Sequence, residues 1–121
     1  MAFDRARYIN LTTFRRNGRP VATPLWFAGL DNKLYAFTDG RSGKAKRLRN
    51  SSRARVAPCG ATGEPRGEWT EALARIVADD TLESRAYQAL RSKYGWQMRV
   101  LDAFSTLFFR IGHRVILEIE V

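Results

Sequence analysis

Between Arg41 and Arg55 the sequence carries seven cations and no acid. The run opens Arg41-Ser-Gly-Lys-Ala-Lys-Arg47, directly behind the turn Thr38-Asp-Gly40. Ser42 is an N-cap residue by type, and Lys44 falls in the first helical turn after it. The first N–H groups of a helix lack partners within it, and the dipole is positive at that end. A hydroxyl, an ammonium and free N–H groups together make a seat for a phosphate. A solvated basic helix face explains the same residues, and charge alone does not choose among phosphate, nucleic acid and solvent.

Other chemistry-bearing residues are sparse. His113, the only histidine, stands at the entrance to the last expected strand and reads as a surface turn residue rather than an acid–base group. Cys59 has no base near it in sequence and reads as a small apolar residue closing a strand. The glycine-rich stretch 60–67 lacks the Lys-Ser/Thr ending of a phosphate-binding P-loop. Neither a metal site nor a catalytic carboxylate pair is expected, which leaves a binding site first and a catalytic one through its ligand.

The elements around the basic run follow from hydrophobic period. Residues 7–15 and 20–28 are rich in β-branched and aromatic types and read as strands. Asn17-Gly18 between them predicts a type I′ hairpin. Pro24 inside the second strand predicts an edge or a bulge, since it cannot donate to a ladder. A turn at 29–32 leads to a strand over 33–38, and the basic helix follows over 42–51 with Ala45 and Leu48 inward. Strands are expected at 53–58 and 68–78. Asp80-Thr-Leu-Glu83 has capping-box spacing and opens a helix to about Lys93. Gly95 breaks it, and a second helix spans about 96–109, with Met98, Leu101, Phe104, Leu107 and Phe108 as a core or dimer-packing stripe. Residues 114–121 alternate as a final strand. The class is α+β: a six-stranded antiparallel split β-barrel, with one short helix after the third strand and a helical pair before the last.

At 121 residues the chain reads as one domain, residues 1–121. Its net charge of +9 and pI near 10.6 favour anionic partners. One cysteine excludes an intramolecular disulfide and a cysteine-based zinc site, and suits a reducing cytoplasm. No signal peptide and no apolar run of membrane-spanning length are expected.

The order of motifs carries a resemblance. Tyr8-Ile-Asn-Leu-Thr-Thr-Phe, Gly18-Arg-Pro-Val-Ala-Thr-Pro-Leu-Trp-Phe, Lys33-Leu-Tyr-Ala-Phe-Thr, Ser42-Gly-Lys-Ala-Lys-Arg-Leu-Arg-Asn and Arg55-Val-Ala-Pro-Cys follow one another along nearly the whole chain. This resembles the pyridoxamine-phosphate-oxidase-like split β-barrel superfamily, and within it the flavin/deazaflavin branch of F420-dependent enzymes. The resemblance implies a homodimer with two cofactor sites at its interface and hydride transfer involving a flavin-like ring. It also implies a cofactor-contacting strand at Thr23, Pro24, Leu25, Trp26 and Phe27, with the Phe37-Thr38 pair beside it. The phosphate-binding Ser-x-Lys becomes Ser42, Gly43 and Lys44, and Arg66-Gly67 matches a strand entry at the ring edge. Trp26 either touches cofactor or substrate, or is core.

Two departures bear on chemistry. Pyridoxamine phosphate oxidases carry Arg before the phosphate-binding Lys, where this chain has Gly43, and no C-terminal Arg/His motif is present before Val121. Vitamin B6 oxidation is therefore not expected. F420 adds an acidic tail to a ribityl phosphate, and Arg41, Lys46, Arg47 and Arg66 offer it a basic track. The reading is a cytoplasmic F420-dependent oxidoreductase acting on a small organic acceptor. FMN is the alternative cofactor. A non-catalytic cofactor or haem carrier and a basic nucleic-acid-binding module are the alternatives from other classes, with no membrane partner.

Overall fold

The computed structural model describes Phe3, residues 6–107 and residues 114–121, with the side chains of 101 and 104–107 excepted. Tyr8–Phe14 (β1), Pro20–Leu30 (β2), Lys33–Asp39 (β3), Arg53–Cys59 (β4), Thr70–Ile76 (β5) and Arg114–Glu120 (β6) are strands. Gly43–Asn50 (α1), Asp80–Tyr94 (α2) and Trp96–Leu107 (α3) are helices. The strands close an antiparallel barrel in the order β1-β2-β3-β6-β5-β4, as expected of the α+β split barrel.

Alternation decides what fills the barrel. Strand residues two apart share a face, so Ile9, Leu11, Leu25, Phe27, Leu34, Ala36, Val56, Leu117 and Ile119 point inward and pack as one buried cluster. The opposite face of β2, β3 and β6 carries Trp26, Ala28, Tyr35, Phe37 and Ile116, which the helical pair covers with Leu90, Tyr94 and Met98.

The hairpins correct one expectation. Among the described non-glycine residues only Asp31 and Asn32 have positive φ, at 52° and 65°. They form the two-residue loop between Leu30 and Lys33, so the turn needing both central residues at positive φ lies there. At Asn17-Gly18 only Gly18 is positive, at 85°, and its N–H donates to the Arg15 carbonyl at 2.8 Å. That loop has three residues, because Arg15 rather than Arg16 pairs back, onto Arg19. The start of α2 shifts as well. Asp79, not Asp80, is the N-cap, accepting from Thr81 and Leu82. Glu83 thereby loses the capping-box spacing. His113 and Phe108 lie outside the described residues.

β2 is divided between its neighbours. It pairs with β1 from Pro20 to Trp26, then with β3 only from Phe27 to Leu30. Its register is continuous, so Pro24 makes no bulge and sits where β2 is an edge towards β3. The next rung beyond Tyr8–Trp26 is supplied by a side chain. The Tyr94 hydroxyl accepts from the Phe27 N–H at 2.8 Å and faces the carbonyls of Arg7 at 2.6 Å and Phe27 at 3.0 Å. Burial pushes this phenol up to about 12, so it stays protonated and able to donate.

One carboxylate is buried in the wall. Glu118 is 4% exposed and accepts from the Tyr35 hydroxyl and from Arg75, both at 2.8 Å, with Lys33 at 3.4 Å. Burial pushes its pKa up, but the Tyr35 and Arg75 bonds together outweigh that and hold it below the ordinary glutamate value.

Two tests follow from these contacts. Tyr94→Phe keeps the ring and strands the Phe27 N–H, and should cost about 1–3 kcal/mol in urea unfolding. Glu118 contributes stability that is present above the ordinary glutamate pKa and is lost as pH falls through its lower folded value. The acid limb of the stability–pH curve should therefore flatten in Glu118→Gln.

Candidate functional site

Beyond the point where β2 leaves β3, the end of β3 runs on towards α1. Phe37, Thr38 and Asp39 continue along β6 alone, opposite the β2 residues that no longer pair with them. N–H and C=O of one residue point to the same side of a strand, and successive residues alternate. Phe27 turns its pair towards Arg7 and Tyr94, so Trp26 and Pro24 direct theirs towards the split, where Pro24 has only a carbonyl to offer. A main-chain edge thus faces the end of β3, and three residues later Ser42 caps α1.

The cap is as expected. The Ser42 hydroxyl accepts from the Ala45 N–H at 3.3 Å, and its own N–H donates to Asp39 O at 3.0 Å. Ala45 and Leu48 are buried and seat α1 against the barrel end. Lys44 is half-buried behind the cap. Its pKa lies below the ordinary lysine value, first because burial penalises the charge, then because Arg47 adds like charge, with Asp39 opposing. An anion placed there relieves both effects.

The other expected cations separate. Arg41 folds back on Asp39, with Nε at 3.1 Å and Nη2 at 3.0 Å from the carboxylate, so its charge is already matched. Lys46 is exposed on the solvent side of α1. Arg47 turns inward, and its Nε donates to the Thr13 hydroxyl at 2.6 Å. Its Nη1 lies 2.8 Å from where a Cβ on residue 43 would stand. Gly43 therefore makes room for the Arg47 guanidinium beside the first turn. The sequence suggests Arg47 as part of a basic track, whereas the fold sets it beside Gly43 in the first turn of α1.

Among the five β2 residues, Leu25 and Phe27 point into the barrel at 9% and 2% exposure, so neither side chain reaches a ligand. Phe27 has also given both backbone groups to Tyr94. Trp26 faces outward and stacks on Tyr94 at 4.5 Å between centroids, edge-on to Phe37 at 6.4 Å. Arg114 lies 4.7 Å over the other ring, Phe37. Pro24 lies beneath Gly63 of the loop 60–67, which Asn10 Nδ2 holds by donating to the Gly63 carbonyl at 2.7 Å. Thr23 shares the inward parity of Leu25 and Phe27, and its Oγ1 is buried without a partner. Thr38 shares the inward face of Ala36 and is 8% exposed.

Arg66 stands apart from the α1 cations, on the side of Tyr8, the rung partner of Trp26. It pairs with Glu64 at 3.4 Å and lines a cleft of about 440 Å³ with Arg7, Tyr8 and Cys59. Tyr8 pairs with Cys59, while Arg47 meets β1 at Thr13, roughly 16 Å further along the strand. Cys59 is buried, and burial raises its pKa, as suits a packing residue. No group of three or more His, Cys, Asp or Glu side chains among the described residues could hold a metal.

A split main-chain edge beside a phosphate seat is the arrangement that the motif order implies. A sequence model described as pyridoxamine 5'-phosphate oxidase matches residues 2–121. The chain belongs to the pyridoxamine 5'-phosphate oxidase family. Solved structures with the family's fold are similar over nearly the whole chain. A conserved hypothetical protein, Rv2991 from Mycobacterium tuberculosis, is 23% identical with a TM-score of 0.72, over 97% of this chain and 74% of that one. The haem storage protein HutZ from Vibrio cholerae is 13% identical with a TM-score of 0.73, over 96% and 82%. A FAD-binding protein from Mesorhizobium loti is 20% identical with a TM-score of 0.63, over 99% and 82%. No curated protein matches the chain. No helix among the described residues is long and apolar enough to cross a membrane.

Gly43→Ala separates stability from anion binding. Removing a helical glycine should leave stability unchanged or raise it by up to about 1 kcal/mol. The new Cβ displaces Arg47, so affinity for inorganic phosphate should fall. Thermal melts and a phosphate titration check the two halves.

Proposed function

We propose that the split between β2 and β3 and the start of α1 hold a flavin-like cofactor, and that the protein is an oxidoreductase using F420. The observation that carries this is one convergence. The open β2 edge and the unpartnered Thr23 hydroxyl lie opposite the end of β3, and the half-buried Lys44 with Arg47 stands in the helix that the chain enters from that end.

These residues suit the group. Ser42, Lys44 and Arg47 take the ribityl phosphate, the Trp26 and Pro24 backbone and the Thr23 hydroxyl meet the ring edge, and Phe37 and Thr38 bound it. When bound, such a cofactor supplies hydride transfer to or from a small organic acceptor. The chain binds it, orients it and keeps water from it. The family and the FAD-binding relative support the flavin class. The surplus of cations supports F420 over FMN, with Lys46 and Arg47 rather than the Asp39-bound Arg41 nearest to an acidic tail. A second copy of the chain completes the site in this reading. Exposed Trp96 and Val100, four apart on one face of α3, are apolar surface for such a contact.

The haem storage relative favours one other reading, a carrier without turnover. Titrating the protein with F420, FMN and haemin separates the three. F420 should bind tightest, and Lys44→Ala should weaken it by about tenfold or more, the loss of one charge-assisted contact. Tighter FMN binding would transfer the role to FMN, and haemin binding alone would support the carrier. Unchanged affinity in Lys44→Ala would remove the seat from the proposal.

A further inference from the structure

The β1–β2 hairpin and the C-terminal half of α1 enclose a second basic place. A cleft of about 350 Å³ lies between them, lined by Arg15, Arg16, Arg47 and Arg53 with Asn50 and Ser51. No lining residue is acidic. Elsewhere the arginines are mostly matched: Arg41, Arg55, Arg66, Arg75, Arg85, Arg91 and Arg114 each lie within ion-pair distance of a carboxylate. None of the four cleft arginines forms such a pair among the described residues. Four of the eight described arginines that make no ion pair thus line one opening.

Two of them are held in place by their side chains. The Arg53 guanidinium lies 3.9 Å over the Phe14 ring, which fixes its plane and leaves its N–H edge free. Arg47 is anchored through Nε on Thr13. Arg15 and Arg16 project from a closed loop, with the Arg15 N–H on Arg19 O at 2.9 Å and the Gly18 N–H on Arg15 O. Burial, and then the charge of Arg15, push the Arg47 pKa down, so these groups sit close enough to repel. Two anchored guanidinium forks with two more on the facing hairpin suit a ligand with several anionic oxygens.

We propose that this cleft is a second anion site, taking a compound with two or more linked phosphates, centred on Arg15, Arg16 and Arg53 and bordering the cofactor seat through Arg47. It does not depend on which cofactor the split holds. Inorganic pyrophosphate is the probe, titrated calorimetrically at about 0.15 M salt so that diffuse attraction is screened. Arg15→Ala/Arg53→Ala should weaken binding by about tenfold or more, whereas Lys44→Ala should leave it unchanged. Arg15→Ala/Arg16→Ala, which alters only the exposed hairpin, should weaken it too and guards against a folding defect at Arg53. Wild-type affinity in both double variants, loss in Lys44→Ala, or absence of binding to wild type would each overturn the proposal. Cofactor titration of the same variants reports separately on the split.

Discussion

A barrel strand must satisfy its backbone on both sides, and β2 does so with two different partners. Its first seven residues lean on β1 and its last four on β3, with Phe27 at the changeover. Buried N–H and C=O groups without partners cost too much to leave open. The fold meets this in two ways. Pro24 removes one donor from the exposed edge, and Tyr94 supplies a phenol where β1 runs out. The gap that survives is the gap a ligand can use. Barrel closure, the docking of the helical pair and the candidate site all turn on this one divergence.

Much of this was legible in the sequence. Alternation placed six strands, and Ser42, Gly95 and the period of 80–93 placed the helical boundaries within a residue or so. Local chemistry misled where several local solutions compete. Asn17-Gly18 suits a two-residue turn, but a three-residue loop uses the same glycine, and Asp31-Asn32 accepts the left-handed region without any glycine. Asp79 and Asp80 are chemically equal caps, and only helix geometry chooses between them.

The site was legible in its local half. A cap followed by a lysine is a sequence pattern, so Ser42 and Lys44 could be named. Which way Leu25 and Phe27 face follows from register, and strand parity could have found it. That Arg47 fills the space above Gly43, that Asp39 absorbs Arg41, and that Arg66 stands at the far end of β1 are tertiary facts. A net charge of +9 says nothing about which cations remain unmatched. The fold pairs Asp39 with Arg41 at the start of α1 and lines the cleft at its other end with no acid.

The Tyr94 hydroxyl has a dynamic consequence. Phe27 belongs to the barrel wall, yet its amide proton is held by a residue 67 positions away, at the last turn of α2. Local opening frees amides according to the element that must move first. The Phe27 amide therefore exchanges with solvent when α2 lifts, not when the sheet frays. A single backbone position in the barrel becomes a reporter for the docking of the helical layer that covers the split.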